Sequence, residues 1–218
     1  MSKSKGNVVA PQTVSDTLGA EILRLWVGAT DYSGELSISN EILKRVVEGY
    51  RRIRNTLRFL LANTSDFDPA RDAVPADELF ELDRYALDVA AGHFGRYAAE
   101  IRRCTNFTWS PGAAAVLFRK SWAVVYLDIL KDRLYTTAAD SIGRRSAQTV
   151  LAIIRDELIK LMAPILSFTA EEAWRIVHPE DPTIFAATWG AEHRVVRSDS
   201  PEFCKRWTAI SGGPRTWC

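Results

Sequence analysis

Cysteine chemistry is nearly absent from this 218-residue chain: Cys104, Cys204 and Cys218 lie far apart, are odd in number and show no CxxC or Cys/His spacing. That pattern argues against a disulfide framework and a zinc site, and it suits a reducing, cytoplasmic setting. Long apolar runs are also lacking. The longest, Ala113 to Phe118 and Ala123 to Leu127, fall far short of the roughly 20 residues a bilayer-spanning helix needs, and no signal-peptide core follows the N-terminus. A soluble protein with no membrane partner is therefore expected. Charge of one sign is missing as well: 28 Lys and Arg stand against 27 Asp and Glu, so any attraction to nucleic acid has to come from local clustering. No Gly-rich phosphate loop precedes a helix, His93, His178 and His193 are isolated, and no Ser has an evident His/Asp partnership. Read from these residues, the chain is a binder with no metal site of its own. What is present is 47% hydrophobic residues and 25% charge, enough for one domain of ordinary size plus a small appendage.

Helical periodicity dominates the text. "GAEILRLWVGA" places Ile22, Leu23, Leu25, Trp26 and Val27 in a short helix buried on more than one side, and "TDYSGELSIS" reads as a turn at Gly34 with a brief extended segment through Leu36 and Ile38. Ser39 is a plausible N-cap for a long amphipathic helix reaching about Asn63, because Val46, Tyr50, Ile53, Leu57 and Leu60 recur at steps of four and three. After the Asp- and Pro-rich loop "TSDFDPARDAVPAD", a second helix turns Leu82, Ala86, Val89, Ala90, Phe94, Tyr97 and Ile101 inward. Pro111-Gly112 interrupts the pattern, and a helix resumes as "VVYLDILKDRLYT". A further helix over Arg144 to Met162 has Val150, Ile153, Ile154, Leu158 and Leu161 on one face and should bend or end at Pro164. Thr169 and Glu172 stand at capping-box spacing and mark a last helix start, and "HRVVR" is one weak strand candidate. The expected fold is all-α, a bundle of about four or five helices.

The polar side of the long helix is unusual. Lys44, Arg45, Arg51, Arg52, Arg54 and Arg58 face a single acid, Glu48, and Arg51, Arg54 and Arg58 stand at i, i+3 and i+7 opposite the apolar seam. Arginines crowded in this way repel one another unless something anionic lies along them, and RNA phosphate is a common partner of that kind. The competing reading pairs them with acids of neighbouring helices such as Asp83, Glu100 or Asp128. Aromatic residues at 10% could stack unpaired bases, but Trp26, Tyr50, Phe94 and Trp174 sit in apolar stripes and read as packing.

The opening "MSKSKGNVV" resembles all but the first residue of the Lys-Met-Ser-Lys-Ser signature of class I aminoacyl-tRNA synthetases. The stretches "GAEILRLWVGATDYSGELSISNEIL", "EGYRRIRNTLRFLLAN", "ELDRYAL", "YLDILKDRLYT", "RRSAQT" and "MAPILSFTAEEAW" resemble, in order, the text that follows this loop in the isoleucyl members; the valyl and leucyl relatives share the architecture. The resemblance implies residues 1–42 as a loop remnant and small stem-contact-like linking unit, 43–190 as an anticodon-binding helical bundle, and 191–218 as the start of a C-terminal region. It implies an ATP loop containing Ser2, Lys3 and Ser4, with Lys3 stabilising charge on the triphosphate during adenylation. It implies ATP and Mg2+ for the complete enzyme, none for this portion, and isoleucine-accepting tRNA as the partner, held in part by Arg51, Arg52, Arg54 and Arg58.

Departures from the family pattern bear on activity. The signature's first lysine, the His-Ile-Gly-His element, the nucleotide-binding fold and the editing domain do not occur in this text, so the chain alone is expected to be inactive unless the missing N-terminal half joins it. Text from Thr105 to Val125 and the ending "AISGGPRTWC" differ from the family. Codons for the usual text, read one base out of step, can spell both, which predicts frameshifts that sequencing of the DNA would reveal. Two rivals stay open: a helical RNA-binding or protein-interaction module with internally paired arginines, and an inactive product of a split gene.

Overall fold

A computed structural model describes residues 8–30, 37–102 and 122–188, and all of its regular elements are helical. In chain order these are α1 (Pro11–Leu18), α2 (Ala20–Ala29), α3 (Asn40–Asn63), α4 (Pro69–Asp72), α5 (Glu81–Arg102), α6 (Trp122–Thr136), α7 (Ile142–Met162) and α8 (Ser167–Val177), followed by a 3-10 turn at Ile184–Ala186. No described helix is long and apolar enough to cross a membrane. The expected loop residues Ser2, Lys3 and Ser4, the turn at Gly34, the departing text through 121 and the "HRVVR" segment lie outside the described residues.

Each boundary has a local cause. Ser39 accepts from the Ile42 amide at 3.2 Å and starts α3, as its position before the apolar period predicts. Gly19, at φ 93°, separates α1 from α2 in a conformation that side-chain-bearing residues rarely adopt. Ser141 caps α7 through the Arg144 amide, and α7 ends at Met162, two residues before Pro164.

α7 is the centre of the bundle, with α3, α4, α5, α6 and α8 packed around it. Its burial extends well beyond one face. Ser146, Ala147, Gln148, Thr149, Val150, Leu151 and Ala152 are consecutively buried, whereas Ile153 and Ile154 are only half-buried. A helix enclosed on several sides can hide polar residues where neighbouring elements satisfy them, and that enclosure is not visible in a one-face periodicity.

The main core gathers Leu57 and Leu60 of α3, Ala86, Val89 and Phe94 of α5, Leu130 and Leu134 of α6, Leu151 and Ile159 of α7, and Trp174 of α8. A smaller cluster of Val14, Ile22 and Leu43, flanked by Trp26 and Ile38, joins α1 and α2 to the start of α3. α2 contributes to both, since Leu25 belongs to the main core.

Thr169 does not start the last helix. α8 begins at Ser167, and Leu166 in the cap position offers no side-chain acceptor. The amides of Phe168 and Thr169 instead donate to Glu21 Oε1 of α2 at 3.0 and 2.9 Å. An acceptor supplied from 147 residues away in sequence therefore caps this helix, which a local capping-box reading cannot anticipate.

Candidate nucleic-acid interface

The apolar seam of α3 decides where its arginines go. Leu43, Ile53, Leu57 and Leu60 are buried, with Val46 and Tyr50 half-buried beside them, so Lys44, Arg45, Arg51, Arg52, Arg54 and Arg58 are left exposed. Arg51 holds Glu48 one turn back at 2.7 Å, with both side chains largely in solvent. Arg45 likewise pairs with Glu41 of its own helix. Arg54 donates to the Tyr50 hydroxyl at 3.3 Å, and this contact, helped by the charges of Glu172 and Glu21, raises its pKa further, so it stays cationic at any working pH. The Arg52 and Arg58 side chains make no hydrogen bond or ion pair among the described residues.

Beyond the charges of Glu172 and Glu21 near Arg54, two of the acids offered as partners for this face, Asp83 and Asp128, are committed elsewhere. Asp83, fully buried, takes Arg133 through two bonds of 2.9 and 2.7 Å, the Tyr126 hydroxyl at 2.9 Å and the Ser146 hydroxyl at 2.6 Å. Asp128 binds Lys131 at 2.6 Å. The Glu100 side chain lies outside the described residues. Arg51, Arg52, Arg54 and Arg58 thus form one basic, solvent-facing side of a rigid helix, of the kind that meets a phosphate backbone.

Sequence reasoning did not anticipate the polar junctions behind this face. "ELDRYAL", "KDRLYT" and "RRSAQT" each contribute one member, Asp83, Arg133 and Ser146, to a single buried network, and Ser146 also accepts from the Phe80 amide at 3.1 Å. In the last of these stretches Arg144 reaches Asp66 at 2.8 Å, while Gln148 donates to the Asn63 carbonyl at 3.0 Å and to Asp66 at 2.7 Å and accepts from Arg145 at 2.8 Å. These contacts fasten the end of α3 and the following loop to α7. The nearest sequence signal was the polar character of three short stretches in otherwise apolar helices. Among the described residues no group of three or more His, Cys, Asp or Glu side chains could hold a metal ion.

Family models match at both ends of the chain. The model described as tRNA synthetases class I (I, L, M and V) matches residues 1–39, and the model for the anticodon-binding domain of tRNA ligase matches residues 113–208. The isoleucine–tRNA ligase of Bordetella petrii is 64% identical over 177 residues, covering 81% of this chain and 18% of its own length. The isoleucine–tRNA ligase of Aromatoleum aromaticum is 52% identical over 220 residues, covering 96% of this chain and 22% of its own length. Over most of its own length the chain is homologous to isoleucine–tRNA ligases. It spans about a fifth of the length of these ligases. The fold agrees with that of a more distant LeuRS from Agrobacterium radiobacter K84, solved in a ternary complex with tRNA and LeuAMS, at a TM-score of 0.63 and 21% identity over 87% of this chain and 22% of that one. The described elements are all helical, as expected, and residues 113–208 match an anticodon-binding domain; the arginine side of α3 lies on the surface of the same helical bundle, outside the residues that this model matches.

Proposed function

We propose that the chain is a tRNA-handling portion of an isoleucine–tRNA ligase, which joins isoleucine to its tRNA at the expense of ATP with magnesium. In this reading residues 1–42 link the ATP loop to the bundle, 43–190 bind the anticodon region, and 191–218 begin a C-terminal region. Arg51, Arg52, Arg54 and Arg58 grip phosphates, which set register and supply affinity while unpaired anticodon bases supply identity. The observation that carries the reading is the exposure of these four arginines on one helix, with no ion pair to another helix among the described residues, in a chain whose residues 113–208 match an anticodon-binding domain.

Lys3, with Ser2 and Ser4, is assigned to the ATP loop. A lysine ammonium near the triphosphate does most when negative charge moves onto the leaving pyrophosphate, so it favours the transition state over the ground state. We assign the charging reaction to the complete ligase and tRNA binding without charging to this chain alone. Binding of isoleucine-accepting tRNA titrated against salt tests the proposal. With about three phosphate contacts, affinity should fall roughly 20- to 40-fold between 50 and 200 mM salt. A folded sample that does not bind this tRNA, or binds it with no salt dependence, would overturn the reading.

A further inference from the structure

α2 presents Glu21, Arg24 and Gly28 at i, i+3 and i+7, on one side of the helix, to the corner between α7 and α8. Arg24 takes carbonyls of the short turn that joins α7 to α8: its Nε donates to the Ile165 carbonyl at 2.8 Å, and its second terminal nitrogen reaches the Pro164 carbonyl at 2.9 Å and the Ser167 hydroxyl at 2.8 Å. Glu21 takes the amide ends at the opening of α8, from Phe168 and Thr169. One α2 face therefore caps the start of α8 through Glu21, whose charge has the favourable sign there, and ties down the turn that joins α8 to α7 through Arg24. Gly28 lets the helix come close, because a methyl group there would stand 3.0 Å from Ile165 Cδ1. Leu25, on the same side, is buried in the main core.

The second oxygen of Glu21 connects this corner to α3. It accepts from the Thr169 hydroxyl and from the Tyr50 hydroxyl at 3.2 Å, Tyr50 and Thr169 stand 2.9 Å apart, and Arg54 donates to the same Tyr50 oxygen. A chain of hydrogen bonds thus runs from the α2 face to one arginine of the basic side.

We infer that Glu21, Arg24 and Gly28 are positioning residues that lock α1 and α2 to the α7–α8 corner as one body and, through Tyr50, hold Arg54 in register with its neighbours. The affinity part of this inference rests on the tRNA-binding reading above; the locking part does not. On the full chain, E21A combined with R24A should raise amide exchange across residues 11–29 by at least roughly ten-fold while α5 and α7 keep their protection. E21Q, which keeps an acceptor oxygen but loses the charge, should fall between the double variant and the parent chain. G28L, which pries the helices apart without touching a polar group, should reproduce the exchange change if the double variant fails to fold. Affinity for isoleucine-accepting tRNA should drop several-fold in the same variants.

Exchange over 11–29 that rises no more than that of the bundle would overturn the lock. A local rise in exchange with unchanged tRNA affinity would overturn the positioning role. Failure of the parent chain to bind tRNA at all would remove the functional reading and the positioning role together, while the exchange result would still decide the lock.

Discussion

The arginines of α3 and those of α6 and α7 share one side chain and meet opposite surroundings. Arg51, Arg52, Arg54 and Arg58 stand in solvent, and the one acid they hold among the described residues, Glu48, belongs to their own helix. Arg133, Arg144, Arg145 and Arg155 are drawn into the bundle, where they meet Asp83, Asp66, Asp72, Gln148 and the Thr64 hydroxyl. The difference comes from position relative to the apolar seam. On α3 the seam is a single stripe, so everything opposite it is exposed; α7 is surrounded, so its basic residues must find partners or remain costly. Buried arginine here specifies how helices meet, and exposed arginine remains available to a ligand.

Breaking the buried side should have the largest effect. Asp83→Ala leaves the Arg133 guanidinium, the Tyr126 hydroxyl and the Ser146 hydroxyl without their common acceptor, and removal of one partner from a buried pair costs about 3–5 kcal/mol. Chemical denaturation should show that loss as a lowered midpoint. A change below about 1 kcal/mol would mean that the network adds little beyond the packing around it.

The exposed side should respond in binding and hardly at all in stability. Replacing Arg51, Arg54 and Arg58 together with Gln removes three cations from a solvated face, where each substitution should shift stability by no more than about 0.5 kcal/mol. For isoleucine-accepting tRNA, the slope of log affinity against log salt should become shallower by about 2 to 3. An unchanged slope would move the phosphate contacts to another face of the bundle.

Alkaline titration separates the two regions in a third way. Tyr126 is buried against Asp83, and burial first, then the Asp83 charge, raise its pKa well above the ordinary 10.0, with Arg133 opposing. Below that ordinary value the phenol is protonated in both the folded and the unfolded chain, so it adds no pH dependence. Above it the unfolded chain releases the proton while the folded chain keeps it, so stability falls as pH rises. Tyr126→Phe should remove this part of the alkaline loss, visible as a flatter stability curve above pH 10 than that of the parent chain.

How much of this was legible in the sequence follows from the same contrast. The α3 seam, its Ser39 cap and the outward direction of its arginines are set by residues within four positions of one another, so periodicity and capping rules reach them. Asp83 finds its partners 43, 50 and 63 residues away, and Glu21 caps α8 from across the chain. No local rule pairs residues at those separations. The Thr169–Glu172 spacing misled for this reason: the acceptor that organises the start of α8 lies on α2. Sequence could offer Asp83 and Asp128 as partners for the α3 arginines, but only the packing shows them bound to Arg133 and Lys131.

The smallest effect sharpens the comparison from within the exposed face. Glu48 is the only acid on α3 that pairs with the arginine stripe, and its bond to Arg51 lies in solvent, where such helical pairs contribute about 0.3–0.5 kcal/mol. Glu48→Gln should therefore lower stability by no more than that amount, close to the limit of a denaturation measurement. Its effect on tRNA affinity should have the opposite sign. The substitution frees the Arg51 guanidinium and removes a negative charge that repels phosphate, so binding should tighten modestly at low salt, and the gain should vanish at high salt as screening shortens the reach of both charges. Weaker binding after this change would mean that Glu48 holds Arg51 in the orientation the phosphate needs, and would turn the exposed pair from a competitor into a support.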